Sequence, residues 1–254
     1  MAGHSKWANI KRQKARVDAK KAQIIFAKLS RAMIVAARQG LPDPAGNFQL
    51  RTAIEKAKAA GIPNDNIERA IAKGAGTLSG DGRQFESVRY EGYGPGGIAI
   101  LIEALTDNRN RTAANLRAAF SKQGGNLGET GCVSWMFRQC GVVQLAGPIA
   151  EADLLEALLE LPAESYDLDE TGAVVYSSVA DLEALSTQLR QAGFEVEDSE
   201  LRWIPNDYQL VTDWEQARSL LRLLDSLEDL EDVCSVTANL ELPPELVAQL
   251  EATL

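Results

Sequence analysis

Side chains that commonly perform catalysis are sparse in this chain of 254 residues. His4 is the only histidine, and a catalytic group must be held rigidly, which the weakly apolar residues around it cannot do. Cys132 and Cys140 lie eight residues apart without a second close ligand, so their spacing supports no zinc site. Cys234 makes the number odd, which predicts reduced, structural thiols. We therefore expect that the protein is not an enzyme and that it binds no metal and no cofactor.

Two other patterns that resemble chemical motifs have simpler explanations. Residues 228–232 include four acids beside a predicted helix end, and we interpret them as an exposed, solvated turn. The glycine-rich segment 74–82 has no preceding strand and no closing Gly-Lys-Ser or Gly-Lys-Thr. It therefore predicts a linker rather than a phosphate-binding loop.

Charge is distributed very unevenly along the chain, although its net value is only −10. Residues 1–80 carry a net charge of +10, residues 81–140 of +1 and residues 141–254 of −21. Salt screens charges beyond ~8 to 10 Å, so a polyanion that approaches the N-terminal third meets a positive surface. This asymmetry favours nucleic acid as the partner, with a solvated surface of mixed charge as the alternative.

The candidate nucleic-acid contacts are concentrated in residues 1–40. The basic residues expected to contact phosphates there are Lys6, Lys11, Arg12, Lys14, Arg16, Lys20, Lys21, Lys28, Arg31 and Arg38. Trp7 either stacks on a base or sugar, or packs back on the first helix. Arg109 and Arg111, near a later helix N-terminus, form a second candidate phosphate site, with capping and intramolecular pairing as alternatives.

Hydrophobic periodicity predicts a small bundle of three helices that positions the basic residues. The first spans 18–39, with the basic side chains turned away from an apolar stripe. That stripe consists of Ile25, Leu29, Ala32, Met33 and Ala36. A second helix is predicted from about 44 or 47 to 60, and a third over 65–73, where Asp65 and Glu68 have capping-box spacing.

Beyond residue 81 the apolar pattern changes to a period of two, which predicts strands. A hairpin of two strands, at 85–90 and 98–105, is expected first. A helix over 109–122 and a strand over 132–137 follow it. Residues 141–204 then read strand, helix, strand, strand, helix, strand, which is the ferredoxin-like order. A helix over 214–227 and a strand over 233–240 are expected to rejoin the first sheet.

The sequence therefore predicts an α+β fold in which an N-terminal helical bundle precedes two α/β domains, the second ferredoxin-like and inserted into the first. The predicted domains are 1–80, basic and helical; 81–140 with 205–254, discontinuous; and 141–204, the acidic insert. The insert has 14 acidic and 2 basic residues, so it faces solvent or a protein partner rather than phosphate. No apolar run approaches the ~18 residues of a membrane span and no signal segment is evident, so we expect a cytoplasmic protein without membrane contact.

Five sequence motifs, in this order, resemble the YebC/PmpR family. They are Ala2-Gly3-His4-Ser5-Lys6-Trp7, Ile10-Lys11-Arg12-Gln13-Lys14, Pro63-Asn64-Asp65-Asn66-Ile67-Glu68-Arg69-Ala70-Ile71, Tyr90-Glu91-Gly92-Tyr93-Gly94-Pro95-Gly96-Gly97 and Thr106-Asp107-Asn108-Arg109-Asn110-Arg111-Thr112. The resemblance implies a helical N-terminal domain and two α/β domains, one inserted in the other.

The same resemblance implies a function in gene expression. Bacterial members are described as DNA-binding transcriptional regulators. Other members, including the mitochondrial activator of cytochrome oxidase translation, act at the ribosome, so ribosomal RNA and the ribosome are the alternative partner. An acidic protein-interaction scaffold and an enzyme remain less favoured alternatives. The family has no agreed contact residues, so the site residues rest on charge and exposure.

Overall fold

A computed structural model describes residues 19–77 and 85–253 of the chain. The chain divides into two compact units. Within the described residues, one unit comprises residues 19–136 together with Asp207–Leu240, and the other comprises Phe137–Asn206 together with residues 241–253. The predicted α+β fold, with N-terminal helices and two α/β parts, is confirmed. The predicted domain boundaries stay predictions about which segments fold independently.

Three helices begin the first unit: α1 (Ala19–Gln39), α2 (Phe48–Ala59) and α3 (Asn64–Gly74). Both α2 and α3 pack on α1, so α1 buries a wider face than a single stripe. Met33 and Ile34 are buried in this core, whereas Ala32, predicted to be in the stripe, is exposed. At Gly74, an added Cβ would lie 2.6 Å from the carbonyl oxygen of Ile34, so α3 ends in close contact with α1.

The starts of α2 and α3 differ in how they are capped. Asn47 caps α2, because its side-chain oxygen accepts a hydrogen bond from the Leu50 N–H at 3.0 Å. The predicted capping box of α3 is wrong, because α3 already begins at Asn64 and no side chain caps it. Instead, the Pro63 carbonyl accepts hydrogen bonds from the first turn.

A four-stranded sheet follows. Its strands and the helices beside them are β1 (Glu86–Tyr93), β2 (Ala99–Thr106), α4 (Arg109–Lys122), β3 (Asn126–Leu127), α7 (Trp214–Glu228) and β9 (Val233–Ala238). The strand order in the sheet is β3-β1-β2-β9. The antiparallel pairing of β1 with β2 confirms the predicted hairpin. The pairing of β9 with β2 confirms that the chain rejoins this sheet after residue 205.

The second unit contains the predicted ferredoxin-like arrangement. Its elements are β4 (Phe137–Ala146), α5 (Glu151–Leu158), β5 (Ser165–Asp169), β6 (Gly172–Ser177), α6 (Leu182–Gln191) and β7 (Val196–Pro205), with α8 (Pro244–Thr253) as a later addition that the sequence analysis did not predict. The sheet order is β5-β6-β4-β7, with every neighbouring pair antiparallel. The short strand β8 (Gln209–Leu210), in the first unit, pairs with β10 (Leu240–Glu241), which begins at the last residue of that unit.

All three cysteines are free thiols. Cys140 is buried, and Cys132 and Cys234 are half-buried. Burial raises the pKa of each thiol, most strongly for Cys234, whose pKa rises to about 11. A raised pKa leaves little of the reactive thiolate near neutral pH.

Glu91 on β1 organises the loop where a strand over 132–137 was predicted. That prediction is wrong: residues 134–136 form a 3-10 turn, and β4 begins only at Phe137. The buried Glu91 carboxylate accepts three backbone N–H bonds, each at 2.7 Å, from Gly131, Val133 and Ser134. Burial raises the pKa of Glu91, but these backbone N–H groups outweigh burial and leave the pKa below its ordinary value.

We expect Glu91→Gln to lower the free energy of unfolding by about 2 kcal/mol at pH 7, because an amide accepts these N–H groups less strongly than a carboxylate. Since the folded pKa is lowered, the stabilisation is complete above the ordinary pKa of about 4.3 and is lost as pH falls through the folded value. The stability difference between wild type and variant should therefore shrink in acid. Urea unfolding at several pH values measures it.

The matched control is Glu129→Gln, which changes an exposed glutamate of the same loop. Its effect should stay within about 0.5 kcal/mol at every pH. Equal stability of the two variants at pH 7 would show that the Glu91 contacts contribute nothing.

Candidate nucleic-acid interface

The predicted contact residues are only partly covered by the structure. Those outside the described residues are Lys6, Trp7, Lys11, Arg12, Lys14 and Arg16. Lys20 and Lys21 lie on the α1 backbone, but their side chains are also outside the described part. The roles predicted for these eight residues stay predictions.

The basic residues of α1 do not form one exposed ridge. Arg38 is exposed and Lys28 is half-buried, but Arg31 is only 8% exposed and lies on the inner side of the helix. The prediction that all of them turn away from the core is therefore wrong for Arg31. Phosphate contact by Arg31 stays a prediction, and it would require its guanidinium to serve a ligand as well as its internal partners.

Asp232 is the centre of a charged cluster in the first unit. Its carboxylate accepts hydrogen bonds from the Arg111 guanidinium at 2.9 Å and from the Thr112 hydroxyl at 2.7 Å. The Arg31 guanidinium lies 4.0 Å from Asp232 and donates to Glu231 at 3.0 Å. Since Asp232 is only 8% exposed, the prediction of a solvated acidic turn is wrong at this residue.

Local structure fixes both sides of this cluster. Asn108 caps α4 by accepting a hydrogen bond from the Arg111 N–H at 3.1 Å, which holds Arg111 in the first turn. On the other side, the Leu105 N–H donates to the Asp232 carbonyl at 2.9 Å. Next to this hydrogen bond, the pairing of β2 with β9 is irregular between Glu103 and Ala104. The carboxylate is thus presented from the start of β9 towards α1 and α4.

A second pair of predicted residues meets at Glu86 on β1. Arg109 donates to the Glu86 carboxylate at 2.6 Å, and this hydrogen bond lowers the pKa of Glu86, with the charge of Arg38 acting in the same direction. We name four of the arginines on α1 and α4 the arginine seam: Arg31, Arg38, Arg109 and Arg111. The alternative expected for Arg109 and Arg111, pairing with acids of the same chain, is present for both residues.

The seam still has donors for phosphate. The Arg109 and Arg111 side chains are 61% and 48% exposed, and a guanidinium has five N–H donors. Exposed ion pairs contribute at most about 1 kcal/mol, so a phosphate can replace a carboxylate such as Glu86 at little cost.

Several exposed residues that suit nucleic acid were missed by the sequence analysis. The basic ones are Lys58, Arg69, Lys73, Arg117 and Lys122. Helical spacing on the polar faces of α2, α3 and α4 was the signal that would have found them. Trp135 is 71% exposed, with its indole N–H bonded to the Cys132 carbonyl at 3.1 Å. Exposed aromatics of this kind can stack on bases, but no local pattern marked this one.

The described residues also bear on two other kinds of site, a metal centre and a membrane span. Residues 19–77 and 85–253 contain no group of three or more His, Cys, Asp or Glu side chains that could hold a metal ion. None of the helices in the described ranges combines the length and apolar character needed to cross a membrane.

Comparison with known proteins relates nearly the whole chain to one family. A family model described as the TACO1/YebC protein N-terminal domain matches residues 5–77. A second, described as the TACO1/YebC second and third domain, matches residues 85–240. The chain belongs to the TACO1/YebC family, as its motifs indicated.

Individual relatives agree with this membership. A probable transcriptional regulatory protein of Synechococcus elongatus is 92% identical, with 100% of both chains covered. Another, from Rippkaea orientalis, is 68% identical over 97% of this chain and 98% of its own length. The crystal structure of a conserved hypothetical protein from Aquifex aeolicus is 44% identical, with a TM-score of 0.81 over 90% of this chain and 93% of that chain.

We expect Asp232→Asn to lower the free energy of unfolding by about 3 kcal/mol, because it leaves Arg31 and Arg111 without their shared buried counter-charge. Glu231→Gln is the matched control, since the Glu231 side chain is 84% exposed and its ion pair is worth less than about 1 kcal/mol. Urea unfolding of both variants makes the comparison. An equal loss of unfolding free energy in both variants would show that Asp232 stabilises the cluster no more than Glu231 does.

Proposed function

We propose that this chain, a nucleic-acid-binding regulator of gene expression, holds the phosphate backbone with its basic N-terminal third and acts in the cytoplasm without catalysing a reaction. The observation that carries the proposal is the separation of charge. Residues 1–80 have 15 basic and 5 acidic residues, whereas residues 141–204 have 2 and 14. A polyanion is therefore attracted to one end of the chain and repelled by the insert, which gives it a single orientation.

The described helices supply exposed basic groups that support this proposal. They are Arg38 on α1, Lys58 on α2, and Arg69 and Lys73 on α3. The arginine seam adds Arg109 at the start of α4, where backbone N–H groups also favour an anion. Contacts of this kind hold phosphates and do not read base sequence.

The acidic insert has a different proposed partner. Exposed acids are distributed over its helices and loops, including Glu151, Asp153 and Glu156 on α5. Leu159, at the end of the same helix, is 85% exposed. An apolar side chain among acids suits a protein partner that carries basic residues, and we propose such a partner for this surface.

A specific observation disfavours sequence-specific reading of duplex DNA by the N-terminal helices, which keeps ribosomal RNA as a second candidate target beside DNA. The helices α2 and α3 are joined by four residues, which is the spacing of a helix-turn-helix. The exposed face of α3, however, carries Asp65 and Glu68 beside Arg69 and Lys73, so it has no net charge. The phosphates that flank a major groove repel the two acids of this face as strongly as they attract its two basic residues. This balance disfavours α3 as a recognition helix.

Substituting Lys11, Arg12 and Lys14 together with Gln should weaken binding to random duplex DNA and to single-stranded RNA. Each lost phosphate contact removes about 0.7 to 0.9 from the slope of log K against log salt, so the slope should flatten by about 2 to 3. Fluorescence anisotropy titrations at several salt concentrations measure the slope.

The matched control replaces Arg190, Arg218 and Arg222 with Gln, which changes the net charge equally at exposed positions outside the proposed surface. This variant should keep the slope of the wild type. An equal loss in both variants would mean that overall charge, rather than the N-terminal third, attracts the nucleic acid.

Binding to short duplexes should show weak sequence discrimination, less than ~100-fold between selected and random DNA, whereas dedicated regulators reach ~10³ to 10⁷. If ribosomal RNA is the target, association with ribosomes should survive an excess of random duplex, because folded RNA offers shape and 2′-hydroxyl contacts. Selection from a random DNA library and co-sedimentation with ribosomes test both statements. A strongly enriched DNA motif without ribosome association would leave transcription as the function.

A further inference from the structure

We propose that the indole ring of Trp135 is a stacking platform for an unpaired base of single-stranded nucleic acid. The inference rests on the proposed function and adds to it a contact with the base rather than with the phosphate. Trp135 is 71% exposed and lies between β3 and β4, within the first unit. Tryptophan is highly buried on average in folded proteins and is enriched at binding surfaces, so a ring this exposed suits a ligand contact.

The loop constrains the ring of Trp135 although it is exposed. The indole N–H donates to the Cys132 carbonyl at 3.1 Å, and the Tyr93 hydroxyl donates to the same carbonyl at 2.9 Å. The backbone on both sides of Cys132 is fixed by Glu91, through the three backbone N–H bonds that its carboxylate accepts. A side chain that is already ordered loses little conformational entropy on binding, which favours its use as a contact.

The part of the ring that is available to a ligand is its π face. Because the indole N–H is already bonded within the loop, a partner is not needed to satisfy it. An aromatic face stacks on bases without preference for sequence, since every base has a π face. Bases inside a duplex are stacked on their neighbours, so an unpaired base is the form that can stack on Trp135.

The surroundings of Trp135 in the loop favour a base over a protein surface or a phosphate. The residues exposed beside it are Glu129, Thr130 and Gly131, none of which has a large apolar side chain. The other large apolar side chains that are exposed in the described residues belong to other segments: Leu41, Leu155, Leu159, Val179 and Leu210. Protein interfaces bury a cluster of anchor residues, whereas stacking of one base needs a single ring. The carboxylate of Glu129 repels phosphate, so the uncharged base is the part of the nucleic acid expected here.

Phosphates of the same strand can meet the arginine seam at the other end of β1. Glu91, which holds the loop, and Glu86, which pairs with Arg109, lie on this strand. At about 3.4 Å per residue, their positions on β1 are roughly 17 Å apart. A strand of about 10 nucleotides spans this distance, so one ligand can make both the stacking and the phosphate contact.

Binding of three RNA ligands by the full chain tests the platform. The first is a single strand of about 10 nucleotides with mixed sequence. The second is the same strand paired with its complement, and the third is an abasic strand with the same number of phosphates. Each ligand carries a terminal dye, and fluorescence anisotropy measures its affinity at several salt concentrations.

Trp135→Ala should weaken binding of the single strand about 5-fold to 100-fold, the range for loss of one contact between a base and an aromatic ring. The slope of log K against log salt should not change, because no phosphate contact is lost. Binding of the duplex and of the abasic strand should equal that of the wild type. Trp135→Phe should restore most of the affinity for the single strand, because a phenyl ring also stacks on bases.

Leu210→Ala is the matched control, since Leu210 is an apolar side chain of the first unit that is 56% exposed. This variant should bind all three ligands as the wild type does, and thermal unfolding checks that every variant is folded. Tryptophan fluorescence gives a second readout. The single strand should quench the emission of the wild type more than that of Trp135→Phe, whereas the abasic strand should quench both equally.

The outcomes separate the platform from the general function. If the wild type and Trp135→Ala bind the single strand equally well, or if the single strand quenches the wild type and Trp135→Phe equally, the platform is wrong and phosphate binding stands. The platform is also wrong if Trp135→Ala weakens binding of the abasic strand as much as that of the single strand. If the wild type binds none of the three ligands, the proposed function fails and the platform fails with it.

Discussion

The buried carboxylate of Asp232 is the constraint on which the described part of the first unit depends. It joins three elements that are distant in sequence: α1 through Arg31, α4 through Arg111 and Thr112, and β9, which it precedes. Loss of this acid would leave Arg31 paired with Glu231 and Arg111 paired with Asp107, but the buried side of the cluster would lose the counter-charge that both arginines share. The position of the helices relative to the sheet is therefore set by electrostatics as well as by apolar packing.

The basic residues of the described helices differ in how far they are exposed. Exposed cations on the helices act at long range and attract any polyanion, with a strength that depends on salt. Arg31, by contrast, is buried and donates to Glu231, so its charge serves the internal cluster. Exposed charge and internal ion pairing thus belong to different arginines, although Arg111 is both half-exposed and bonded to Asp232.

Features encoded by neighbouring residues could be predicted from the sequence, and features that depend on distant partners could not. The helix α4 was predicted with its observed bounds, because its Asn108 cap and apolar spacing are local. The strand predicted at 132–137 is absent because Glu91, on another strand, binds the backbone there. The burial of Arg31 could not be predicted either, since its acidic partners lie about 200 residues further along the chain.

The position of Asp232 in the chain also has a consequence for synthesis. Arg111 is made before the whole of Phe137–Asn206, and Asp232 only after it. At ~5 to 20 residues per second, the interval from Met136 to Asp232 lasts roughly 5 to 20 seconds. During that time the nascent first unit presents its arginines without their shared counter-charge. The newly made N-terminal half is therefore more strongly basic than the finished protein, and it is so while still attached to the RNA-rich machine that makes it.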